Sequence, residues 1–131
     1  MGLTFPNSFR NAHPWDRYAA EPPAGQLKLE DGKVMKFIHE LLDDVLPRQL
    51  PFTPSFHIGG DELNKECYRL EKGIESSDKS VIKPFLEHFM RQVIAKVQDY
   101  NMTIHTWEDL LLEWDIGYPK STVIHAWKTG E

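Results

Sequence analysis

Two amphipathic stretches, each followed by a short apolar run, leave this chain few ways to fold. In the first stretch Val34, Phe37, Ile38, Leu41, Leu42 and Val45 recur every three or four residues, which is the spacing of one helix face. Asp31 stands where an N-cap belongs, and Pro47 marks the predicted end. The run Ser55 to Gly60 follows, bounded by Pro54 and Gly59-Gly60, and reads as a buried strand. Asn64 to Ser80 is polar and is expected to be irregular. A second helix is predicted over Ser80 to Tyr100, with Ile82, Phe85, Phe89, Val93 and Val97 as its inner stripe and Pro84 in its first turn. "MTIHTW" from Met102 and "TVIHAW" from Thr122 are two further strands, separated by "EDLLLEWDIGYP", a short helix and a turn. Strands alternating with helices of this length imply parallel pairing through crossovers, so the fold class is α/β. The 131 residues are about one domain's worth of chain.

The text before Gly32 is different. Pro14, Pro22, Pro23 and Gly25 preclude a long regular element, so residues 1–32 are expected to form a loop region ahead of βα units over 33–131. The start lacks the basic and then apolar layout of a signal peptide, and no apolar run approaches a membrane span. With 15 Lys and Arg against 20 Asp and Glu, a formal charge of −5 and no basic stripe, neither a nucleic-acid nor a membrane partner is expected. Cys67 is the only cysteine, which excludes an internal disulfide; it reads as a spare thiol.

Each strand places a histidine two residues before a position at its end. Period-two alternation puts His57 in phase with Gly59, His105 with Trp107 and His125 with Trp127. Three strand ends would then present matching faces at one rim. The segment "FHIGGDEL" adds two glycines and two adjacent acids, Asp61 and Glu62, at the carboxyl end of the first strand. Ligands bind at that end in open sheets and barrels alike.

Three chemistries fit the acid pair. A metal site on His57 with Asp61 or Glu62 is disfavoured, because residues four apart on a strand are roughly 13 Å apart at about 3.3 Å per residue, and no ligand spacing demands His105 or His125 from the neighbouring strands. No metal and no cofactor is therefore expected. A plain turn would use Asp61 as a cap and leave Glu62 in solvent. Acid catalysis is the third: a glycosidic oxygen leaves poorly until protonated, and a neighbouring carboxylate with partial burial would keep Glu62 protonated near neutral pH. Gly59 and Gly60 would let a sugar ring approach the backbone, and Trp107 and Trp127 would supply flat walls.

"FHIGGDE" resembles the H-x-G-G-D-E signature of the family-20 glycoside hydrolases, the β-N-acetylhexosaminidases. "YAAEPPAGQL", Trp107-Glu108-Asp109 and "VIHAWK" resemble that family in the same order, with a fungal character, from about Trp15 to Lys128. The resemblance implies a single partial catalytic domain over residues 1–131, three strands matching the fourth to sixth of a (β/α)8 TIM barrel. It implies hydrolysis of terminal N-acetyl-β-hexosamine residues with retention, the sugar's own 2-acetamido oxygen acting as nucleophile. Glu62 would be the general acid and base and Asp61 would orient the acetamido group. Trp107, Trp127, His57, Gly59 and Gly60 would line the substrate, a glycoside of N-acetylglucosamine or N-acetylgalactosamine. By the same analogy the protein would be secreted or lysosomal or vacuolar. The family's early-strand arginine and the groups of its last strands have no counterpart in these residues, so a fragment of low activity is expected. A non-catalytic carbohydrate-binding piece is the alternative.

Overall fold

Asp31 opens α1 (Gly32–Gln49) by accepting from the Lys33 amide, satisfying one of the donors that a helix start leaves bare. Structure is described for residues 18–20 and 26–128 of a computed structural model. The predicted loop's prolines at 14, 22 and 23 lie outside those residues.

The buried stripe of α1 is Val34, Met35, Ile38, Leu42 and Leu46. It is rotated from the predicted one: Phe37, Leu41 and Val45 are only half-buried at its margin. Pro47 does not end the helix. Only the hydrogen bond of its own missing N–H is lost, and the ladder resumes with Leu50 N donating to Leu46 O at 2.9 Å.

After α1 come β1 (Ser55–His57), a 3-10 helix (Lys65–Leu70), α2 (Lys79–Asp99), β2 (Thr103–Trp107), α3 (Asp109–Trp114) and β3 (Val123–His125). The strands form one parallel sheet in the order β1-β2-β3. His57 stands opposite His105, and Trp107 opposite His125. The α/β expectation holds, with a three-stranded parallel sheet flanked by helices. Pro84 lies in the second turn of α2, not the first, since Asp78 caps a helix that starts at Lys79.

Alternation sorts the strands into two faces. Ile104 and Met102 join Val34, Ile38, Ile82 and Val97 in the core, with Phe56 and Ile58 packed against it. His57, His105, His125 and Trp107 are on the other face and outside that core.

The stretch expected to be irregular contributes to the core. The 3-10 helix buries Cys67 and Tyr68, and Glu71 just beyond it is 2% exposed. The Glu71 carboxylate accepts from the Leu29 amide at 3.1 Å and the Glu30 amide at 2.7 Å. It therefore fastens the segment before α1 to the loop between β1 and α2. Burial pushes its pKa up, against the lowering effect of those two amides. Glu71→Ala should destabilise the chain by about 1–3 kcal/mol in urea unfolding, because one buried and one part-buried donor lose their acceptor. A change within error would show that water replaces the carboxylate at no cost.

Candidate active site

The end of β1 is built by its contacts with β2. Trp107 N and the Thr106 hydroxyl both donate to Gly59 O, at 3.1 and 2.8 Å, and Thr106 is fully buried. Gly59 N donates to His57 Nδ1 at 3.0 Å, folding the chain back over the histidine ring. Gly59 and Gly60 have φ of 78° and 95°, the left-handed side that glycine adopts without penalty. A Cβ at Gly60 would come 3.0 Å from Leu110 Cδ1 and 3.3 Å from Thr106 Oγ1. The fold itself thus demands glycine at 60, a reason separate from room for a sugar.

This turn delivers Asp61 and Glu62. Asp61 is half-buried, with Oδ1 shielded from solvent. Glu62 is exposed, so the partial burial expected for it is absent from the described residues. Its φ of 49° is uncommon for a side-chain-bearing residue and marks a backbone held by its surroundings.

Asp109, which sequence patterning does not single out, ties the remaining pieces together. It opens α3 directly after β2 and is 2% exposed. Its Oδ2 accepts from Trp127 Nε1 at 2.7 Å, Oδ1 pairs with Lys128 Nζ at 2.8 Å, and the Glu62 amide donates weakly to Oδ1 at 3.4 Å. Burial works against its charge, but the Lys128, Trp127 and Glu62 bonds outweigh it and hold the carboxyl below its ordinary range. Glu108 Oε1 accepts from the Trp127 and Lys128 amides at 3.1 and 2.8 Å. Glu108 makes no capping bond to α3; its carboxylate is committed to the segment after β3. Segments following all three strands are thereby joined. The signals in the sequence were the position of Glu108-Asp109 directly after a strand and the family-like run Trp107-Glu108-Asp109.

Trp107 is half-buried and Trp127 is 45% exposed. Lys128 Nζ lies 5.5 Å over the Trp127 ring and also pairs with Glu113. His57 packs on Trp107 with centroids 4.8 Å apart and on His125 at 5.2 Å. The three in-phase histidines thus meet on one face, as the alternation predicts. A separate cavity of about 380 Å³ lies on the helix side of β1, lined by Asp61, Glu62, Ile58, Phe89 and Met90 among others. Neither tryptophan reaches it. Asp61 and Glu62 thus line an apolar cavity that the three histidines do not. Among the described residues no cluster of His, Cys, Asp or Glu could hold a metal ion, and no helix is long and apolar enough to cross a membrane.

Residues 4–131 match the family described as glycosyl hydrolase family 20, catalytic domain. The chain belongs to glycosyl hydrolase family 20. The sheet and its helices are accordingly part of a (β/α)8 barrel. A beta-hexosaminidase of Arthroderma benhamiae is 36% identical over 98% of this chain and 23% of its own length. Beta-hexosaminidase 1 of Coccidioides posadasii is 26% identical over 88% of this chain and 21% of its length. A chitooligosaccharidolytic beta-N-acetylglucosaminidase of Ostrinia furnacalis is 31% identical over 50% of this chain. The chain thus spans under a quarter of the length of the fungal relatives it matches.

Burial lowers the His57 pKa, and positive charge on His125 or His105 would lower it further. A depressed histidine is protonated more readily in the unfolded chain, so its contribution to stability is held above 6.5 and lost as pH falls through the folded value. Urea midpoints measured from pH 8 down to 5 should therefore fall on the acid side, and fall less in His57→Gln. Equal slopes in the two proteins would remove His57 as the cause.

Proposed function

We propose that this chain carries the acid-bearing part of a β-N-acetylhexosaminidase site, acting on terminal non-reducing N-acetyl-β-hexosamine residues. Support comes from the family membership and from one structural observation: Asp109 joins the Glu62 segment to Trp127 at the same end of the sheet as Trp107. Glu62 is the general acid. It gives its proton to the glycosidic oxygen as the bond to the anomeric carbon breaks, while the substrate's acetamido oxygen forms a bond to that carbon. A cyclic oxazolinium ion results, and no enzyme nucleophile is needed. Asp61 accepts from the acetamido N–H and offsets the positive charge that develops. Water then attacks the anomeric carbon, Glu62 takes its proton, and the ring opens with retention.

An exposed acid beside a shielded one suits these roles. Glu62 must reach a leaving group that lies outward, whereas Asp61 acts on a group held against the sheet. Trp107 and Trp127 wall the acetamido methyl, with His57, Gly59 and Gly60 beneath. Three strands supply part of an eight-stranded rim, so turnover by these 131 residues alone is slow.

Hydrolysis of N,N′-diacetylchitobiose tests this reading, since its leaving sugar hydroxyl needs the proton. Glu62→Gln should cut that rate about 10²- to 10⁴-fold, the usual worth of a positioned acid. The 4-nitrophenyl glycoside, whose leaving group is already a good one, should be affected less in bond cleavage. Equal turnover by both proteins would refute Glu62 as the acid. Absent turnover with sugar binding unchanged by Glu62→Gln would favour a carbohydrate-binding role.

A further inference from the structure

The reaction proposed above leaves two histidines without a task. His105 Nδ1 and His125 Nε2 are 2.8 Å apart, with ring centroids 5.0 Å apart. At that distance one nitrogen must carry the proton and the other must be bare, because two N–H groups cannot face each other so closely. The bond fixes how both rings stand. His125 in turn meets Trp107 edge-on, with centroids 5.7 Å apart and planes at 71°. His57 touches both rings, and the Gly59 amide that donates to its Nδ1 fixes it.

Trp107 Nε1 is buried and makes no hydrogen bond among the described residues. Packing against imidazoles, not a bond at its polar atom, therefore sets the pitch of the indole. Trp127 is the opposite case, held by its Nε1 on Asp109. Two walls of one rim are thus fixed by different means, and only one of them depends on the histidines.

We propose that His105 and His125 are positioning residues for Trp107: their hydrogen bond sets the His125 ring, which with His57 sets the tilt of the indole toward the acetamido methyl of an N-acetylhexosamine. This rests on reading Trp107 as a wall of the acetamido pocket. The consequence is specificity at the 2-position, since a wall at the wrong pitch would contact an acetamido methyl poorly while leaving a 2-hydroxyl unaffected.

The test uses the indole N–H signal of Trp107 in ¹⁵N–¹H spectra of the free chain, assigned as the signal missing from Trp107→Phe. His105→Asn and His125→Gln keep a nitrogen near the positions of Nδ1 and Nε2, whereas His105→Leu and His125→Leu remove it. Both leucine variants should move the Trp107 signal and leave that of Trp127 in place, and the amide variants should return it toward wild type. On the same samples, N-acetylglucosamine binding should weaken about three- to tenfold in the leucine variants, the size of a lost aromatic contact. An unmoved Trp107 signal in the leucine variants, or amide variants no nearer to wild type than leucine, overturns the proposal. Should a leucine variant not fold, the histidine ¹⁵N shifts of the wild-type chain decide. One protonated and one bare nitrogen coupled across the pair support the bond, and two uncoupled rings overturn it. A wild-type chain that binds no N-acetylglucosamine counts against the acetamido pocket, while the indole signal still decides the role of the histidines.

Discussion

One buried carboxylate, Asp109, bonds to the segments after both neighbouring strands at this rim, with Glu108 beside it holding the segment after β3. Parallel strands bring their carboxyl ends to one side, but nothing in strand pairing fixes the segments beyond them. Asp109 does so by accepting from Trp127 and Lys128 after β3 and from the Glu62 amide after β1. A buried charge is tolerated only when it is paired and hydrogen-bonded, and here the groups that satisfy it come from the segments after β1 and β3. Because the folded state holds this carboxyl below its ordinary range, the stability it adds is present above 3.8 and is lost as pH falls through the folded value.

The two sides of β1 divide the labour. Phe56 and Ile58 pack toward the helices, and His57 packs toward Trp107 and His125. Where the strand ends, Leu110 and Thr106 leave no room for a Cβ at Gly60, and Gly59 and Gly60 both take positive φ. The turn then presents Glu62 with φ at 49°, a backbone state that the surrounding bonds must maintain. Fold constraints alone thus act on Gly59, Gly60 and Glu62 within the short segment that bears the family signature.

Much of this was legible in the sequence. Helical periodicity located both long helices, and apolar runs bounded by Pro and Gly located all three strands. Alternation placed His57, His105 and His125 on one face, because a period of two survives any uncertainty in strand ends. Other features depend on partners distant in the chain. Pro47 looks like a stop, yet a helix already packed through Val34, Ile38, Leu42 and Leu46 runs two residues past it. Lys65 to Leu70 looks like solvated loop, yet Tyr68 and Cys67 are core residues and Glu71 is buried by amides from residues 29 and 30. Glu62 looked partly buried beside Asp61 and is exposed. Asp109 was marked only by its place directly after β2 and by the Trp107-Glu108-Asp109 resemblance, since its importance lies in bonds to residues about 18 and 47 positions away.

The most direct measurement is an NMR titration of the chain with a stable thiazoline analogue of the cyclised N-acetylglucosamine. If the ends of β1, β2 and β3 form one sugar site, the Glu62 amide and the indole signals of Trp107 and Trp127 will shift together along one saturation curve. Shifts at Glu62 without the tryptophans, or at the tryptophans without Glu62, would contradict a shared site at these strand ends.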